Sequence, residues 1–181
     1  MSHDLQHTTA LLARAPATFT ALLDGLPDFW TLQNEGEGTW NAFQVIAHLA
    51  YCERSDWMTR TRILLDFGET RPFDPFDREG HMQGCAGKSL GNVLQEFARL
   101  RAANLGELEG MRLGPEAMPL RGTHPAFGSV TLSELLAAWA VHDLTHLHQI
   151  ARILASQYRD AVGPWQRYLG VLHCAGHSQS A

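Results

Sequence analysis

Cysteine is scarce in this chain, and what there is forms no pattern. Cys52, Cys85 and Cys174 are odd in number and far apart, which excludes a closed disulfide framework and, with no C-x-x-C pair, a zinc ribbon. Charge of one sign is not concentrated either. The net charge of −5, with basic residues scattered along the chain, leaves no stripe of the kind that grips nucleic acid or an anionic membrane, so neither is an expected partner. No apolar run is long enough to span a bilayer, and "MSHDLQHTTALLARAP" has no basic start followed by an uninterrupted apolar stretch. These features predict a cytoplasmic protein in a reducing compartment. Internal repeats and low-complexity tracts are missing, and little alternation of polar and apolar residues supports strands. What remains is 181 residues of 45% hydrophobic composition, enough for one full core. Residues 1–181 are expected to form a single domain, with a polar tail from about residue 175.

The periodic segments are all helical. A first helix is predicted from about Asp4 to Gly25, kinked or restarted at Pro16, with "GLPDFWTLQNEGEG" as the following loop. Asn41 and Gln44 can form a capping box for a second, running through "VIAHLAYCERSDWMTRTRILLD". After the loop "FGETRPFDPFDREGHMQGCAGK", Ser89 reads as the N-cap of a third, with Leu90, Val93, Leu94, Phe97, Leu100, Leu105 and Leu108 inward. Following "GMRLGPEAMPLRGTHPAFGSV" comes a fourth, capped by Thr131 or Ser133, and a short last helix begins at "GPW" with Pro164 in its first turn. The fold class is therefore all-α: a four-helix bundle with a short additional C-terminal helix, whose binding sites are built from inward side chains on facing helices.

The fourth helix contains "VHDLTHLHQI", three histidines and an aspartate in an otherwise apolar segment. At about 100° per residue, Leu135, Trp139, His142, His146, Ile150 and Ile153 share one stripe, with Gln149 beside it. His148 lies about 160° from His146, and Asp143 about 100° from His142, so both are expected to face elsewhere. Two inward imidazoles on adjacent turns must satisfy all their ring nitrogens, by hydrogen bonds or by a divalent metal. H-x-x-x-H alone is more often a pair of hydrogen-bonded core histidines. The second helix adds His48, on a stripe with Val45 and Cys52. Three inward histidines without a metal would need three separate hydrogen-bonding solutions in one small core. With one, they form a site with positions open to water or substrate.

The segments "TWNAFQVIAHLAYCERSDW" and "HDLTHLHQIARILASQY" resemble the DinB/YfiT-like superfamily of four-helix-bundle metalloproteins. The resemblance extends over nearly the whole chain. It includes the "AP" break in the first helix, the tryptophan eight residues before the first histidine, the "FDPFDR" loop, the "GTHPAFGSVTL" approach to the fourth helix, and the closing "VGPWQRYL". It implies a metal triad of His48, His142 and His146, a divalent ion such as zinc, nickel or manganese, and often a homodimer. Relatives of this kind include S-transferases and isomerases that use a low-molecular-weight thiol such as bacillithiol. Many others are named only as metal-dependent hydrolases or DNA-damage-inducible proteins.

Further residues are weighed as contributors. "HDLTH" is one methylene from the H-E-x-x-H of zinc peptidases, but Asp143 is shorter than the glutamate that serves there as base. "GCAGKS" fails as a phosphate loop because Met82 stands where a glycine is needed and no apolar strand precedes it. Cys52 could be a fourth ligand or a nucleophile, and is more simply a small core residue. His124 and Asp77 could rim a pocket or stabilise their turns. Gln149 could hydrogen-bond a histidine or bound water, and Tyr51 could place its hydroxyl near a substrate; helix packing accounts for either equally well. A three-imidazole divalent centre suits activation of a thiol for S-transfer, or of water for hydrolysis. The expectation is a metal-dependent thiol S-transferase acting on a small molecule, with a hydrolase or a non-catalytic ligand-binding stress protein as alternatives.

Overall fold

The computed structural model describes residues 3–77 and 80–174. The polar tail expected from about residue 175 lies outside them, as do Arg78 and Glu79. The first segment forms α1 (Leu5–Leu12) and α2 (Ala15–Leu23). Asp4 caps α1 by accepting from the His7 N–H at 2.9 Å, and Pro16 stands in the first turn of α2. Proline has no N–H to give the carbonyl four residues earlier, so the helix breaks and the Leu12 carbonyl is released. The segment expected as a loop contains a short helix, α3 (Asp28–Leu32). Five residues are too few for apolar periodicity to show.

The second helix is divided where one continuous element was expected. α4 (Ala42–Ser55) starts at the capping box of Asn41 and Gln44. Asp56 leaves the helical region at φ −114°, ψ −81°, and α5 (Trp57–Phe67) continues beyond it. The break seats the Trp57 ring parallel to Trp139, centroids 5.9 Å apart. A further short helix, α6 (Gly80–Cys85), stands in the following loop. α7 (Leu90–Gly110) begins at the Ser89 cap, and α8 (Leu132–Ser156) at Thr131, in a capping box with Glu134.

The expectation of no strands needs correction. β1 (Arg121–His124) pairs antiparallel with β2 (Gly128–Thr131), Arg121 opposite Thr131 and His124 opposite Gly128. Phe73 extends this pairing, its N–H donating to the Thr123 carbonyl at 2.9 Å, while its ring lies so close to Gly122 that a Cβ there would stand 3.0 Å from it. Four-residue strands with glycines and few apolar residues carry no period-two signal, so their pairing depends on what they pack against. At the C-terminal end, 3₁₀ turns at Gly163–Tyr168 and Gly170–Leu172 replace the expected short α-helix.

Two apolar clusters fill the bundle. One is built on Leu12, Trp57, Leu64, Leu108, Leu136 and Trp139. The other is built on Phe19, Val45, Leu49, Leu94, Phe97 and Ile150. Between them, on α4, α7 and α8, the buried residues turn polar: His48 and Glu53 on α4, Arg101 and Asn104 on α7, and Asp143 and His146 on α8, joined by the released Leu12 carbonyl at the end of α1. Among the described residues no helix is long and apolar enough to cross a membrane.

Candidate metal centre

The upper part of this polar layer is imidazole. α4 carries His48 inward from its capping box, and α8 carries His142 and His146 on successive turns. The Nε2 atom of His142 lies 3.2 Å from that of His48 and 3.1 Å from that of His146. One ligand nitrogen from each residue fits within 4.8 Å of the others, and the group contains no carboxylate. Two nitrogens bound tetrahedrally at about 2.1 Å from one ion stand about 3.4 Å apart, close to these separations.

The protonation pattern suits an ion as well. His146 Nδ1 lies 2.8 Å from Gln149 Oε1; since that oxygen only accepts, Nδ1 carries the proton and Nε2 presents a lone pair to the centre. His142 Nε2 can hold at most one proton, which can point at only one of its two neighbours. Nitrogens of the cluster are thus left facing each other without a shared proton, and a cation satisfies all three at once. Burial keeps the rings neutral. It is the main cause that pushes His48 down to about 3, helped by His146 and His81. It also holds His142 well below the ordinary value, with His146 and His48 adding to it. His146 is lowered by burial against the opposing Gln149 hydrogen bond.

Aromatic rings enclose the imidazoles. Trp40, immediately before the α4 cap, lies over His48 and His81 with centroids 5.0 and 4.6 Å away, and parallel to His146 at 6.4 Å. Phe76 meets His48 edge-on at 5.8 Å, and Trp57 meets His142 at 5.2 Å. His81, from α6, is buried, and its ring lies 5.7 Å from that of His48. It went unmarked in the sequence because a six-residue helix gives no indication of which side is inward.

The other candidates divide. Gln149 joins the cluster through His146. Cys52 is buried with Sγ 3.5 Å from His48 Nε2, and in the metal-free chain burial, then Asp56 and Glu53, raise its thiol well above the ordinary value. Tyr51 and Asp77 meet at a turn beside Phe76: a Cβ on Gly80 would fall 2.4 Å from the Tyr51 hydroxyl and 2.8 Å from Asp77 Oδ2. His124 belongs to the hairpin, where its Nδ1 accepts from the Ala126 and Phe127 N–H groups at 3.1 and 3.3 Å, a turn-stabilising role apart from the three histidines. His148 is half-buried and outside the cluster. Asp143, expected to face away from the interior, is buried, its carboxylate bound to Arg101 at 2.6 and 3.0 Å. The reason is that α7 supplies an inward arginine for it, so the side chain cannot serve as the base of an H-E-x-x-H site.

Fold and site together define a helical-bundle protein with a three-histidine centre drawn from two facing helices. The chain belongs to the DinB superfamily, whose family model matches residues 11–150. It is similar in fold to YfiT from Bacillus subtilis, described as a probable metal-dependent hydrolase with an unusual four-helix bundle topology. The two share 18% identity at a TM-score of 0.70, over 84% of this chain and 87% of that one. No curated protein matches the sequence.

Proposed function

We propose that the protein is a metal-dependent enzyme in which His48, His142 and His146 hold one divalent ion, zinc, nickel or manganese, and that it transfers a low-molecular-weight thiol of the bacillithiol type to a small electrophile. The observation that carries the metal assignment is the convergence of three neutral imidazoles, each with Nε2 turned to a common point. An ion with only neutral protein ligands keeps its full charge and acts as a Lewis acid toward a small nucleophile. The chain's own groups prepare the place. Gln149 holds the proton on His146 Nδ1, burial keeps the rings unprotonated, and Trp40, Phe76 and Trp57 keep water from their faces.

The nucleophile has to come from outside. The Asp143 carboxylate is engaged by Arg101 through both oxygens, so it neither attacks a substrate nor takes a proton from water. In the proposed transfer the cosubstrate sulfur bonds to the electrophilic carbon, the leaving group departs with its bonding pair, and the thiol proton passes to solvent. A homodimer joined through helix faces away from the site, in a cytoplasmic setting where the free cysteines stay reduced, belongs to the same reading.

Hydrolysis is the second reading, favoured by the description of YfiT. The two separate when a thiol is titrated against metal-loaded protein, with an alkylating electrophile in one series and an activated ester in the other. Transfer requires both thiol and ion and rises with pH as the thiol ionises. Thiol-independent ester turnover that falls as thiol is added would replace it with hydrolysis, and no metal-dependent turnover in either series would favour a binding role.

A further inference from the structure

Beneath the imidazoles the bundle buries an ion cluster that the proposed chemistry does not use. Arg101 is 1% exposed, its guanidinium over the rings of Phe97 and Trp139 at 5.0 and 5.1 Å. One Nη group donates to Asp143 Oδ2 at 2.6 Å and to the Leu12 carbonyl at 2.9 Å. The other donates to Glu53 Oε1 at 2.8 Å and Asp143 Oδ1 at 3.0 Å. Asn104 Nδ2 donates to Glu53 Oε2 at 2.9 Å and Trp139 Nε1 to Glu53 Oε1 at 2.9 Å, so both carboxylates are fully engaged.

The attachment points matter more than the energy, since a buried ion pair is poor evidence of net stabilisation and is better understood as fixing one arrangement among alternatives. Glu53 lies five residues after His48 on α4, and Asp143 follows His142 on α8. One planar, forked cation therefore grips both helices that present the imidazoles. Sliding or rotating α8 against α4 would strand a buried charge. The proline break contributes too, because Pro16 offers no N–H and leaves the Leu12 carbonyl without its helical partner and open to Arg101.

We propose that Arg101 is the positioning residue of the three-histidine centre, clamping Glu53 and Asp143 so that His48 is held in register with His142 and His146. The inference rests on the reading of these histidines as metal ligands. The test uses the whole chain loaded with cobalt(II): wild type, Arg101→Lys, Asp143→Asn, and Arg62→Gln, which removes only the exposed pair with Glu107. Affinity is read by competition with a chromophoric chelator, ligand geometry by the visible absorption of the bound cobalt, and folding by circular dichroism and melting in excess chelator. Arg101→Lys and Asp143→Asn should each weaken cobalt binding by roughly tenfold or more and alter its absorption bands, while Arg62→Gln matches wild type. If either variant melts earlier in chelator yet keeps wild-type affinity and spectrum, Arg101 only supports packing and the proposal fails. Should Arg101→Lys not fold, Asp143→Asn decides. Failure of the wild type itself to bind cobalt would remove the metal reading, and this inference with it.

Discussion

Burial makes His48, His142 and His146 fit to be ligands, because it removes the proton that would compete with an ion. Purified protein should carry about one divalent ion per chain, and His146→Ala should lose it by elemental analysis. Unchanged metal content in that variant would show the triad to be wrong. The loss should lower thermal stability only while metal is present, since the ion binds the folded state; equal destabilisation in chelator would point to packing. The same burial sets a pH dependence in the metal-free protein. Rings held below the ordinary value of about 6.5 bind fewer protons when folded than when unfolded. Their contribution is complete above about pH 6.5 and is lost as pH falls toward the folded values, about 3 for His48. Asp56, lifted to about 6 mainly by burial, works the other way below pH 6. Melting temperature in chelator should thus begin to fall just under pH 6.5 and keep falling below 6, where the one Asp56 carboxyl offsets only part of the loss from the imidazoles, with a shallower fall in His48→Gln. A flat wild-type profile would contradict the burial of the rings.

Among the elements, the N-termini of α4 and α8 were legible because their caps are short-range chemistry. The Asn41 and Gln44 N–H groups each donate to the other's side-chain oxygen at 2.9 Å, immediately ahead of the turn that carries His48. Asn41→Ala should cost about 1 kcal/mol and lower the melting temperature by roughly 2–4 °C, measurable by calorimetry in chelator and in metal. The polar layer was also written in the sequence, though less visibly. Leu94, Phe97, Arg101, Asn104 and Leu108 follow helical spacing on α7, and all are buried. Arg101 and Asn104 thus stand where the stripe calls for apolar residues. Apolar composition points instead to Leu100 and Leu105, which are only half-buried. Whether an arginine on a stripe is buried or turned out to water depends on a partner, and Glu53 and Asp143 are 48 and 42 residues away along the chain. The break at Asp56 and the hairpin had no comparable local signal.

On the scale of the whole molecule, large aromatic side chains remain outside the core: Phe29 is 56% exposed, Tyr158 54%, Trp165 69% and Tyr168 71%. Such residues are costly to leave in water and lie on α3 and the C-terminal turns, not on the elements that carry the three histidines. Light scattering at micromolar concentration should give about twice the 20.1 kDa of one chain, and a monomer would end the dimer proposal. Sequence alone determined the helical class, the four main segments, the caps that open the second, third and fourth of them, and the inward direction of His48, His142 and His146, since each follows from spacing within a few turns. Tertiary structure decided the distance between imidazoles 94 residues apart, the burial of His81 and the capture of Asp143 by Arg101. Contacts between distant elements depend on how rigid helices are docked, and periodicity along one helix does not carry that information.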